Sequence, residues 1–310
     1  MEDRSMDWET YETYMNDGYK RPKVQNSELI SSSVYLNDYR LREWTVRECL
    51  RRNGTDLPST FGIPELNRAL EEVQDQDYVN QMFEEARKDW PELDQFLEER
   101  YMSRWLKKDL ENCPKGSLGH AVFVHYDKYG YDNTMASMAM PVRNHYEYFR
   151  RRKVEIHDFM HILTGAGFDY IAEGIPNFVH FGSFHKYFKP ELAHQLTISN
   201  MFLFFPYFFR SSLHYPQGFP WVWEAMNRGV EIGRQSGTYF LKKIEDYLHL
   251  SVEEARDALD IRGVEDLDFK EWMRRSDLVM EGGQTYTEKK AEQRAQMFKD
   301  LQEKAAIAAA

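Results

Sequence analysis

His157 and His161 stand four residues apart, Asp158 follows the first, and Glu173 comes twelve residues after the second. On a helix the two imidazoles project from one face, one turn above the other. Asp158 lies about 100° further round, so it reaches the same point only from the edge of that face, as a ligand or as an orienting partner. Glu173 cannot share a straight helix with them, because twelve residues at ~1.5 Å each would carry it about 18 Å away. The chain must therefore double back. Thr164, Gly165, Ala166 and Gly167 supply a helix stop and a turn at the right place, and Phe168, Tyr170 and Ile171 restart an apolar pattern that returns Glu173 to the histidines.

Two imidazoles and one or two carboxylates make a nitrogen and oxygen ligand set that suits Zn²⁺, and equally Fe²⁺, Mn²⁺ or Co²⁺. The chain holds only two cysteines, Cys49 and Cys113, 64 positions apart, so neither a thiolate metal site nor a disulfide framework is expected. An HD-type phosphohydrolase would need a further histidine and a distant aspartate in its own pattern. A ferritin-like di-iron bundle needs two Glu-x-x-His motifs, and Glu191 to His194 is the one copy apparent.

Forty basic against 51 acidic side chains give a net charge of −11, which argues against nucleic acid as the main partner. The acidic start lacks a signal-peptide or transit-peptide pattern, and bacterial cytoplasm is the expected location. The greasiest run, Met201 to Phe209, is nine residues broken by Pro206, too short to span a bilayer.

No period-2 stretch of useful length and no repeat is present, so the fold is expected to be all-α. Residues 1–60 read as an N-terminal arm carrying one short helix between Asp38 and Arg52, and 61–282 as the helical domain. Residues 283–310 read as a peripheral C-terminal helix or tail. Helices are expected over Pro64–Val73, Asp77–Lys88 and Pro91–Cys113, two of them opened by proline. Pro141 opens the motif helix, Phe168 to Phe188 holds Glu173 with a kink at Gly174 and Pro176, and another helix starts near Pro190. A long helix from Trp221 to Leu250 bears Gly229, Gly233 and Gly237 at four-residue spacing, a smooth groove into which another helix backbone or a ligand tail could settle. Ser251 and Glu254 form a capping box for a helix ending at Leu259. Met135, Met138 and Met140 suit an adaptable apolar wall. Arg150 to Lys153 read as a solvated basic turn, with Arg152 the favoured binder of a substrate carboxylate or phosphate. His180, His185 and His214 read as surface or satisfied core residues.

The H-D-x-x-H motif with glutamate after eleven residues resembles the signature of the ubiquinone-biosynthesis protein family Coq4, and the spacing is identical. Three further stretches carry the resemblance: the proline and G-S-L-G between Leu110 and Gly119, the R-G-x-x-x-G-R from Arg228 to Arg234, and the closing stretch from Leu248 to Ile261. Of two arginines usual ahead of the family motif, Arg152 matches one and Val154 replaces the other.

The resemblance implies a helical bundle with a metal site between two helices and an apolar ligand tunnel. It also implies zinc, with His157, Asp158, His161 and Glu173 as ligands and Arg152 beside them as a catalytic candidate. The implied activity is oxidative decarboxylation, in which hydroxyl replaces the ring carboxylate of a prenylated 4-hydroxybenzoate-derived intermediate. The expected partners are that acid or another isoprenoid lipid, the inner-membrane surface, other ubiquinone-biosynthesis enzymes, and a second copy as a homodimer. Two alternatives stand beside it: a metal-pinned prenyl-lipid scaffold without chemistry, and a relative diverted to a specialised aromatic or isoprenoid acid.

Overall fold

The computed structural model describes residues 30–50, 63–103, 105, 107–129, 140–167, 170–264 and 296. Eleven α-helices are described: α1 (Tyr39–Leu50), α2 (Ile63–Val73), α3 (Gln76–Ala86), α4 (Pro91–Glu99), α5 (Lys107–Glu111), α6 (Leu118–Tyr129), α7 (His145–Thr164), α8 (Gly174–Tyr187), α9 (Pro190–His214), α10 (Phe219–Gln235) and α11 (Val252–Leu259). Among the described residues there is no strand, only an isolated bridge between Ser117 and Ser251, so the fold is all-α as expected. None of these helices is long and apolar enough to cross a membrane.

α7 is the central element. Asn144 caps its start by accepting the Glu147 N–H at 2.9 Å, so the helix opens at His145, four residues later than Pro141 would place it. Along it Tyr148, Phe149, Ile156, Phe159, Met160 and Leu163 are buried, each worth about 1.5–3 kcal/mol relative to an exposed position. Helices α3, α6, α8 and α11 pack around it. It ends at Gly165, in the left-handed conformation (φ 68°), and Gly167 is left-handed as well (φ 76°), which makes the reversal that the glycines announced.

The α8–α10 seam is the closest helix contact. A Cβ on Gly229 would sit 2.6 Å from the Ile175 carbonyl, and one on Gly182 or Gly233 would meet the backbone of Val230 or Val179. Gly229 and Gly233 are therefore packing glycines. Gly237 is not part of the series: α10 stops at Gln235, and Gly237 N–H donates to the Asp260 carbonyl at 2.8 Å. Two 3₁₀ turns, Tyr239–Leu241 and Ile244–Tyr247, replace the rest of the expected long helix.

The expected helix from Pro91 to Cys113 is also divided. Arg100 turns left-handed (φ 44°), and the chain is non-helical through Ser103, whose N–H donates to Glu155 and whose hydroxyl reaches Glu245. Those tertiary bonds replace helical ones.

A second, smaller core forms where Tyr35, Leu41 and Trp44 meet Leu66, Leu70, Ile198 and Phe202. Trp44 Nε1–H donates to the Phe202 carbonyl at 2.7 Å, so α1 is docked on α9. Residues 35–50 of the expected arm thus belong to the packed body. Residues 1–29 and 51–60 of the expected arm, Met135, Met138 and the expected tail 283–310 (Gln296 apart) lie outside the described residues.

Candidate metal centre

Two segments build the site. α7 presents His157 and His161, whose Nε2 atoms lie 3.2 Å apart with the rings edge to face. Glu173 arrives on the return segment, immediately before α8. Its Oε1 lies 3.0 Å from His157 Nε2 and its Oε2 3.2 Å from His161 Nε2. Gly174 and Pro176 do not kink a helix that contains the glutamate. They open α8, in whose first turn the N–H that proline lacks has no helical partner to lose.

Asp158 is buried. Its Oδ2 accepts the Tyr126 hydroxyl at 2.7 Å, and its carboxylate still offers an atom within 4.8 Å of the two histidines. The structure thus brings His157, Asp158, His161 and Glu173 together.

The protons of the site suit a cation. His161 Nδ1 faces the Gly167 carbonyl, which can only accept, so that nitrogen carries a hydrogen and Nε2 is the atom turned toward Glu173 and His157. With both imidazoles in the neutral form that a metal takes, three acceptor atoms face one another across 3.0–3.2 Å. Ligand atoms at ~2.1 Å around a tetrahedral ion would stand about 3.3–3.4 Å apart, close to what is seen. His157, His161 and Glu173 fit a divalent ion, with Asp158 at the edge. Ordering of His161 by a backbone carbonyl on the glycine turn is the usual support of a metal-bound imidazole.

Without an ion the same atoms perturb each other. Burial pushes Glu173 up, but the imidazoles of His161 and His157 outweigh it and hold the carboxyl well below its ordinary range. Burial pushes His157 down, and Glu173 more than reverses this, so the imidazole is raised. Both groups keep contact with solvent, Glu173 with 42% and His157 with 23% of the side chain exposed, which leaves an open side.

Arg152 lies elsewhere. Five residues before His157, it points about 140° away round the helix. It is buried, donating to Ser103 Oγ (2.8 Å), Glu155 (2.6 Å) and both oxygens of Glu245 (3.0 and 3.1 Å). It borders a cavity of about 350 Å³ with Tyr101, Tyr148, Glu99 and Lys243, and no motif residue lines that cavity. Arg151 is buried as well, paired with Glu155 at 2.8 Å, so the basic run is not a solvated turn. The residue that shares the histidine face is Lys153, one turn before His157. Lysine is neither apolar nor a common metal ligand, so its residue type carries no signal, although its four-residue spacing from His157 does.

His180 is fully buried on α8, with Nδ1 2.9 Å from the Tyr239 hydroxyl. Glu191 and His194 are exposed, which removes the di-iron alternative.

No family model and no curated protein matches the chain. Among solved structures, a Nostoc punctiforme protein provisionally named as a ubiquinone biosynthesis protein is similar. The identity is 18%, the match covers 71% of this chain and 96% of that one, and the TM-score is 0.49.

Proposed function

We propose that this chain is a metal-dependent enzyme acting on an aromatic carboxylic acid that carries an isoprenoid chain. The reaction inferred is oxidative decarboxylation of a 4-hydroxybenzoate-derived intermediate. The observation that supports it is the convergence of His157, His161 and Glu173 at 3.0–3.2 Å, from two segments joined by a glycine turn, with one side open. The likeness of the motif set to Coq4 supplies the substrate class.

In this reading His157, His161 and Glu173 hold the ion, and Asp158, steadied by Tyr126, fixes the edge of the site. A bound divalent ion supplies Lewis acidity toward the substrate's oxygens. The substrate approaches across the part-exposed flank of His157 and Glu173. The reaction balances as aromatic acid, dioxygen and water giving phenol, carbon dioxide and hydrogen peroxide. The carboxylate carbon leaves as CO₂, water supplies the new hydroxyl, and O₂ takes the two electrons from the electron-rich ring.

The test is incubation of purified protein with the geranyl-substituted 4-hydroxybenzoate derivative, with and without O₂ and chelator, following CO₂ and the hydroxylated product. Turnover that needs both metal and O₂ is expected. Turnover indifferent to chelator, or none under any condition, overturns the reading, and co-purified isoprenoid without turnover would turn it into a carrier.

A further inference from the structure

Three arginines packed around this interior meet carboxylates. Arg152 has Glu155 and Glu245, Arg210 has Glu48 at 2.8 Å, and Arg150 has Glu71. Lys153, part-buried on α7, is different. Its Nζ donates to two neutral oxygens, Ser199 Oγ at 3.3 Å and Asn200 Oδ1 at 3.0 Å. An ammonium has three donors, so one remains, and among the described residues no carboxylate lies within ion-pair distance of it.

The surroundings tie Lys153 to the metal centre. Asn200 Nδ2 donates to the backbone carbonyl and the side-chain oxygen of Asn177, at 3.2 and 3.1 Å, which fixes the amide so that its Oδ1 faces the lysine. Asn177 in turn donates to the Glu173 carbonyl at 3.0 Å. A rigid polar chain thus runs from the ammonium to the backbone of a ligand, and Lys153 lies on the same helix face as His157 and His161.

A second unsatisfied group lies in the same neighbourhood. Buried His180 has no partner for Nε2. Ser183 Oγ lies nearer to the Gly233 carbonyl (3.2 Å) than to the Tyr239 hydroxyl (3.4 Å), so its proton goes to the carbonyl. Tyr239 then gives its own to His180 Nδ1 at 2.9 Å, which leaves Nε2–H as an unanswered donor. Burial first, then the nearby charges of Lys153 and His157, keep this ring neutral at neutral pH. Burial and Arg150 push Lys153 itself down to about 8, the mark of an ammonium short of a counterion. An ammonium with one donor unused and no carboxylate beside it, together with a buried N–H that has no partner, makes a place suited to an anion next to the candidate metal centre.

We propose that Lys153, with His180 Nε2–H as a secondary donor, is the carboxylate-binding wall of the site and takes an oxygen of the substrate's aromatic carboxylate. The choice of an aromatic carboxylate as the anion rests on the function proposed above; the fit to an anion does not. Lys153 is thereby the residue that distinguishes an acid from its neutral analogues.

The test uses the full chain labelled with [¹³Cε]lysine, with zinc and without it, the Lys153 signal being assigned by its loss in Lys153→Met. Benzoate is expected to move that signal saturably, and benzamide, equal in shape but uncharged, to leave it in place. Affinity for 4-fluorobenzoate, read by ¹⁹F NMR, should fall about tenfold or more in Lys153→Met, less in His180→Phe, and be largely kept in Lys153→Arg. A Lys153 signal indifferent to benzoate, or equal affinity in wild type and Lys153→Met, overturns the proposal. Movement with inorganic phosphate alone overturns the carboxylate in favour of a phosphate headgroup. Benzoate held by Lys153 with no decarboxylation would leave this inference standing and remove the reaction, whereas turnover with unchanged affinity in Lys153→Met would do the reverse.

Discussion

At the scale of single residues, His157 and Glu173 titrate in opposite directions because each is the other's partner at 3.0 Å. Glu173, depressed, adds stability above its unfolded value of ~4.3 and loses it as pH falls through the folded pKa. His157, raised, adds stability below its unfolded value of ~6.5 and loses it as pH rises through the folded one. Metal-free protein should therefore take the pair's full stabilisation between about pH 4.3 and 6.5. A metal needs the neutral imidazole, so metal affinity should climb with pH through the raised His157 pKa, protons being released. Glu173→Gln keeps the shape, removes the charge and should erase both dependences. It should also cost more than the ~100-fold that loss of an outer partner brings. Thermal unfolding against pH with and without zinc, and chelator competition, are the measurements. Identical pH profiles in Glu173→Gln and wild type would dismiss the pair.

At the scale of elements, what was legible was what local chemistry decides. The Ser251–Glu254 capping box, the proline start of α9 and the glycine stop of α7 each settle a boundary within a few residues, and each stands where the sequence puts it. The two long helices that failed were ended by distant partners. Ser103 is captured by Glu155 and Glu245, and Gly237 by Asp260, contacts 52, 142 and 23 positions away that no local window contains. Arg152 was misread for the same reason, since Glu245 approaches it from 93 positions away, while Lys153 carried its signal in plain spacing. The glycine series was legible as packing and was right for Gly229 and Gly233. Gly233→Ala should therefore destabilise the fold by about 2–3 kcal/mol despite alanine's better helix propensity, because the methyl meets backbone that cannot yield. Gly174→Ala should be tolerated, its Cβ meeting only Ala225 at 3.8 Å and Met226 at 4.0 Å. Denaturant midpoints of the two variants decide the matter, and equal midpoints would show that the seam has slack.

At the scale of the whole molecule, the candidate metal centre depends on a segment that is itself held from far away. The return segment reaches Glu173 just after Tyr170, and Tyr170 is fixed twice by α9: its carbonyl accepts the Tyr207 hydroxyl at 2.7 Å, and its own hydroxyl accepts from Arg210 at 3.1 Å. Arg210 is held in turn by Glu48 on α1, at 2.8 Å, in a buried pair 162 positions apart. The small core of α1, α2 and α9 is thus connected through one arginine to the position of Glu173, a candidate ligand. Removing one partner of a buried ion pair costs about 3–5 kcal/mol, and the lower figure applies here because Arg210 keeps Tyr170 and lies over the Tyr170 and Tyr207 rings. Glu48→Ala should accordingly lose about 3 kcal/mol of stability. If Arg210 also sets the return segment, the folded variant should bind zinc more weakly than wild type, with His157 and His161 untouched. Glu48→Gln, which keeps a hydrogen bond to Arg210, should recover most of the zinc affinity and only part of the stability. Zinc affinity measured well below the unfolding transition separates the two effects. A Glu48→Ala protein that is destabilised yet binds zinc as tightly as wild type would show that the distant pair supports the fold without tuning the site.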